Sequence, residues 1–137
     1  MDWAFTWDPD KAAENFKKHG VSFTEAATSF LDPHGLDGVD PEDPSRETLV
    51  AYSEQQRLLL TVYVEVEGAV IRIISARRAT RPERREYEEG LRVTESARRR
   101  WRPNPYASAL QQTGIRILAS AIRPDARSFE SWRQRRR

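Results

Sequence analysis

Six arginines, Arg72, Arg77, Arg78, Arg81, Arg84 and Arg85, crowd into one short stretch that also holds Tyr87. Guanidinium groups gathered in this way suit a phosphate, which they neutralise and grip through paired N–H donors. Arg77 and Arg78 end an apolar run, and Arg81, Arg84 and Arg85 surround a helix start, where free backbone N–H groups already favour an anion. Arg81 and Arg85 share one helix face; Arg84 and Tyr87 share the adjoining one, from which a tyrosine can stack or hydrogen-bond. The same residues also fit a solvated face on which Glu88 and Glu89 pair with the arginines. Arg72 alternates with Val70, Ile74 and Ala76, on a strand face where a cation is costly unless a carboxylate or a phosphate meets it. Glu65 or Glu67, across a hairpin, could be that carboxylate, which would make Arg72 half of a structural ion pair.

Lys17, Lys18 and His19 close a helix, a place where positive charge is favoured by the helix dipole. Capping alone accounts for them, yet His19 is one of only two histidines and an imidazole can serve as a general base. His34 lies in an acidic loop and is assigned no role. There is no cysteine, which removes disulfides, a thiolate nucleophile and thiolate metal sites. Two separated histidines lack the spacing of a zinc or two-metal centre, although scattered Asp and Glu leave magnesium open. No cofactor and no metal ligand set is expected.

The chain of 137 residues suits one core with an appendage, and 38% apolar with 32% charged residues describes a globular protein with a polar surface. The net charge of +2 hides a division. Residues 1–71 carry five basic against 14 acidic side chains, and residues 72–137 carry 18 against seven, giving −9 and +11. The basic half can neutralise phosphates while the acidic half orients the approach, although frequent arginine can also mean only a solvated surface. The N-terminus has acids where a secretory signal needs a basic start, and no apolar run approaches a membrane span, so a cytoplasmic location is expected.

These groups must be positioned by a small set of elements. Residues 3–7 read as a strand, and Asp8 followed by Pro9 opens a helix over about 9–19 that stops at Gly20. Ser22 and Glu25 have capping-box spacing and begin a second helix ending near Asp32 and Pro33. Residues 33–46 form a loop with a brief extended piece around Leu36 to Val39. Residues 47–54, 57–66 and 70–76 read as three antiparallel strands, the last two joined by a tight turn at Glu67 and Gly68. Thr80 and Glu83 form a third capping box, opening a helix that should run to about Arg99 despite Gly90, with Tyr87, Leu91 and Ala97 facing inward. Pro103 and Pro105 then break the chain before a locally ordered segment and an arginine-rich tail. The expected fold is α+β: two N-terminal helices on a curled antiparallel sheet of about four strands, then a basic helix and an extension.

Three segments together resemble the BrnT toxin family: FTWDPDKAAENFKKHGVSFTEAATSFLDP at 5–33, VIRIISARRAT at 70–80 and RPERREYEE at 81–89. The resemblance covers about residues 3–89 and implies a RelE-like fold and a ribonuclease that arrests translation. It also implies a BrnA-like antitoxin, through which alone operator DNA would be bound. Residues 1–89 would then be the toxin domain, and residues 90–137 an extension beyond the usual end of the pattern. Metal-free RNA cleavage needs a base for the 2′-hydroxyl, cations for the phosphorane and an acid for the leaving oxygen. RelE-like toxins use arginines and lysines for this. On that basis Arg72, Arg77, Arg78 and Arg85, with Glu67 and His19, are the catalytic candidates, and Lys18, Arg81, Arg84 and Tyr87 the RNA-binding ones. The rivals are a module that holds RNA or antitoxin without turnover, and a purely structural subunit of a repressor complex.

Overall fold

The computed structural model describes residues 2–90, 99–118 and 121. Six strands form one sheet: β1 (Ala4–Thr6), β2 (Leu36–Val39), β3 (Glu47–Tyr52), β4 (Leu58–Val66), β5 (Val70–Arg78) and β6 (Trp101–Pro103). Their order is β1-β5-β4-β3-β2-β6, antiparallel except for the parallel pair β1 and β5. The fold is α+β as expected, but with six strands instead of about four. The additional ones are β2, of four residues and set between β3 and β6, and the edge strand β6, of three, both too short to show an alternation in sequence.

Local chemistry sets the helices. The Asp8 carboxylate accepts from the Asp10 N–H at 2.9 Å, Pro9 begins α1 (Pro9–His19), and Gly20 ends it at φ 69°. Ser22 accepts from the Glu25 N–H to open α2 (Phe23–Thr28), but the expected capping box is only half made. The Glu25 carboxylate turns away to Ser53 and Arg57. Thr80 and Glu83 make both halves of theirs and open α3 (Arg81–Glu89). This helix stops at Gly90, φ 68°, instead of passing through it, because glycine readily adopts a backbone that ends the turn. Leu91 and Ala97, expected on its inner stripe, lie outside the described residues, as does the tail from residue 122.

The helix-covered face of the sheet holds the main core. Phe5, Phe30, Tyr63 and Tyr106 meet edge to face or tilted at centroid distances of 5.0–5.7 Å, with Leu49, Leu59, Ile71 and Ile73 around them. A smaller cluster on the other face comprises Leu36, Val50, Leu58, Leu60 and Trp101, roofed in part by Tyr87 of α3 against Tyr52. A bulge divides β5 between these faces: Val62 pairs with Ser75 and Tyr63 with Ile73, so Ile74 has no partner. The shift corrects the expectation for Arg72. It does not share a face with Ala76, which is buried with Ile71 and Ile73, and instead lies exposed opposite Val64.

The described part of the extension is built into this architecture. β6 pairs with the β2 edge, and the Asn104 amide donates to the Phe30 and Asp32 carbonyls at 2.9 Å each. Tyr106 and Leu110 of the following helix α4 (Ala107–Thr113) and its lead-in enter the main core. The Phe5 N–H donates to Arg116 at 2.8 Å, and the Leu118 N–H to Phe5 at 2.9 Å. One segment thus meets both edges of the sheet. Where β6 joins, Asp37 is almost fully buried. It accepts from the Tyr63 hydroxyl and from Arg102 Nε at 2.6 Å, and a Glu47 carboxylate oxygen lies 2.8 Å from the same hydroxyl, sharing its one proton.

Candidate nucleic-acid interface

Asn15 brings the end of α1 against β5. It is the one buried residue of α1, and its amide does for Ala76 what a neighbouring strand would, donating to its carbonyl at 2.8 Å and accepting its N–H at 3.1 Å. Past Thr6 the β1 strand no longer covers β5, so these backbone groups need a partner. This tie carries the end of α1, with His19, toward the part of β5 where Arg77 follows Ala76.

Both residues line a groove of about 410 Å³ on the open face of the sheet. Its floor is Thr48, Leu60, Val62 and Ser75; its walls carry Asp40, Glu42 and Arg46 from the β2–β3 loop, Glu83 from α3, and Arg100. Glu83 grips Arg77 bidentately, at 2.8 and 3.0 Å, while its Oε1 also accepts the Thr80 N–H at 2.8 Å. Burial works against charge on Glu83, but Arg77 and the Thr80 N–H outweigh it and hold this carboxyl below its ordinary range. Arg77 gives a further bond to the Arg78 carbonyl at 3.1 Å. Of its five N–H donors, the Nε one and one on NH2 make no hydrogen bond to a described residue. It is anchored without being saturated. Arg46 and Arg100 are held more loosely, by Asp43 at 3.3 Å and Glu86 at 3.5 Å, in exposed pairs worth about 0–1 kcal/mol.

The remaining candidates scatter. Arg78 points to the other side of the strand, where it helps hold the Glu25 carboxyl low, chiefly the work of Arg57. Arg72 is exposed, and neither expected carboxylate meets it: Glu65 accepts from Tyr106, and Glu67 stands in the β4–β5 turn, at the end of β5 remote from the groove. Arg81 and Arg85 are exposed on α3, and no ion pair joins Glu88 or Glu89 to an arginine among the described residues. Arg84 and Tyr87 face inward. Arg84 donates to the Tyr52 hydroxyl at 3.1 Å, and Tyr87 donates to Asp32 at 2.6 Å, with burial raising its hydroxyl pKa. Lys18 is exposed in a shallower hollow beside His19, with Lys11 and Glu14. Among the described residues, no group of three or more His, Cys, Asp or Glu is placed to hold a metal ion.

Sequence reasoning missed Glu83, Asn15, Arg46 and Arg100 as residues of this site. Only Glu83 carried a local signal, because the capping box already turns its carboxylate back toward the end of β5. The others depend on contacts between distant segments.

Comparison with known proteins places the chain in a family. Among solved structures, the crystal structure of the Brucella abortus ribonuclease toxin BrnT at 1.1 Å is similar, with 20% identity and a TM-score of 0.46. The likeness covers 58% of this chain and 99% of that one. No curated protein matches. The family model for the ribonuclease toxin BrnT of type II toxin–antitoxin systems matches residues 7–83, a span that includes His19, Arg46, Arg77 and Glu83 and leaves out Arg100. Since that span is more than half of the 137 residues, the chain belongs to the BrnT family of ribonuclease toxins of type II toxin–antitoxin systems.

Proposed function

We propose that this chain is a metal-independent endoribonuclease with a RelE-like toxin unit in residues 1–89, acting in the cytoplasm to arrest translation. A BrnA-like antitoxin neutralises it and alone carries the binding to operator DNA. The observation that carries this reading is the convergence of His19 and Arg77, from separate ends of the family match, on one groove with open donors.

In that groove a His19 nitrogen accepts the 2′-hydroxyl proton of the RNA as the oxygen attacks the adjacent phosphorus. The two unengaged Arg77 N–H groups meet the oxygens of the phosphorane as negative charge grows. Departure of the 5′-oxygen with a proton completes the step and leaves a 2′,3′-cyclic phosphate and a 5′-hydroxyl. Glu83 positions the Arg77 fork in the groove, whereas Glu67 is remote from it. Arg72, Arg85, Arg81 and Lys18 hold the RNA at a distance from the cleaved bond, whereas Arg78, on the far side of β5 near Glu25, stands apart from it. Arg84 and Tyr87 act through the seat of α3.

The test uses the full chain on purified RNA and on messages under translation. His19→Ala should abolish cleavage and Arg77→Ala should slow it about 100-fold, and each should relieve growth arrest while the variant stays folded and captures a BrnA-like antitoxin. Wild-type rates in both folded variants would remove the groove from the chemistry. A second reading, a module that binds RNA or antitoxin without turnover, draws support from the carboxylate beside every arginine of the groove. It predicts binding without cleavage by the wild type and tolerance of its expression without antitoxin.

A further inference from the structure

We propose that Arg46 and Arg100 bind backbone phosphates of single-stranded RNA on either side of the cleaved bond, so that the extension supplies part of the substrate site. This rests on the reading of the groove as the place of RNA cleavage, and it adds a residue, Arg100, outside the family match.

Arg100 is placed by strand pairing. Trp101 pairs with Gly38 across β2 and β6, and the backbones approach so closely that a Cβ at Gly38 would lie 2.7 Å from the Arg100 carbonyl oxygen. Any larger residue at position 38 would push this wall outward. The Arg100 guanidinium lies 4.9 Å from the centre of the Trp101 ring, which leaves its outer face as a flat cation on which a base can stack. Arg46 stands on the other loop of the groove, fixed by the bond from the Asp40 N–H to its carbonyl at 3.0 Å.

Both side chains are solvent-exposed, and among the described residues each meets one carboxylate, at 3.3 and 3.5 Å, which a phosphate can replace. Arg77 differs, being locked bidentately to Glu83. Asp40 and Glu42 share a wall with Arg46 and repel phosphate between the arginines. Polyanion contact is thereby confined to the two cationic positions.

The experiment measures binding of the full chain to a 2′-O-methyl RNA oligonucleotide, which has no free 2′-hydroxyl and survives contact. For single strands, each phosphate contact adds about 0.7 to the steepness of log affinity against log salt. Arg46→Ala and Arg100→Ala should each flatten the slope by about 0.7, and the double variant by about twice that. Arg100→Lys should keep the wild-type slope. Arg116→Ala removes the same charge from an exposed position at the far edge of the sheet and should change nothing. Should Arg100→Ala unfold, Arg46→Ala in its exposed loop still decides the matter.

Unchanged slopes in a wild type that binds and cleaves would overturn this proposal and leave the ribonuclease reading intact. An equal effect from Arg116→Ala would overturn it as mere loss of net charge. A wild type that neither binds nor cleaves would sink both.

Discussion

The two faces of the sheet are made by the same strands and serve opposite ends. Residues such as Leu49, Leu59, Tyr63 and Ile73 point into a closed core filled by aromatic rings. Their alternating neighbours Thr48, Leu60 and Val62 point to a smaller cluster and then to the open groove. The closed face pairs several of its polar groups, Tyr106 on Glu65, and Tyr63 and Arg102 on Asp37. The open face keeps donors in reserve. One row of each strand therefore determines whether the protein folds, and the next row what it can hold.

The largest effect should come from the closed face. Tyr106→Ala removes a ring that touches Trp3, Phe30 and Tyr63. It should lower stability by about 3–5 kcal/mol, as deletion of a buried aromatic does. Urea unfolding would measure it, and a loss below about 1 kcal/mol would mean that the extension only rests on the core. Next comes the open face: Arg77→Ala should slow cleavage about 100-fold, the usual cost of losing one donor to a developing anion, with far less effect on folding.

A subtler distinction lies within the closed face. Burial pushes the Asp37 carboxyl up to about 6, although Tyr63 and Arg102 favour its charge. The fold therefore holds this proton more tightly than the unfolded chain does, and Asp37 favours folding increasingly as pH falls from 7 to 5. The wild type should gain about 1 kcal/mol over Asp37→Asn across that span. Glu25 and Glu83 are shifted the other way, and their contributions fade only as pH falls below the ordinary range near 4.5. Denaturant curves at several pH values would show the difference, and parallel stability profiles for wild type and Asp37→Asn would refute it. The smallest effect is expected at Arg72, where replacement by Ala on an exposed strand position should change stability by no more than about 0.5 kcal/mol. A larger loss in the same unfolding assay would make Arg72 part of the packing after all.

Much of this was legible from the chain itself wherever the cause is local. Asp8, Ser22 and Thr80 announce helix starts because a cap needs only its own turn. The three long strands announce themselves through β-branched and aromatic runs. The β2 piece at Leu36 to Val39 was visible between its turn residues. What escaped was produced at long range. The parallel pairing of β1 with β5 and the docking of Trp-Arg-Pro on β2 have no periodic signature. The bulge at Ile74 silently exchanged the faces of Arg72 and Ala76. The site followed the same rule: His19 and Arg77 were recognisable as chemistry, but Asn15, which joins them, looks in sequence like any polar helix residue.

The hydrogen bonds between Phe5 and residues 116–118 join one of the first strands to be translated to one of the last described segments. During synthesis that early strand lacks its outer neighbour until residue 118 has left the ribosome, and Tyr106 reaches the centre of the core almost as late. Both edges of the sheet thus wait on the segment from Trp101 to Leu118, whose arrival pairs β2 with β6 and gives Phe5 its outer partner.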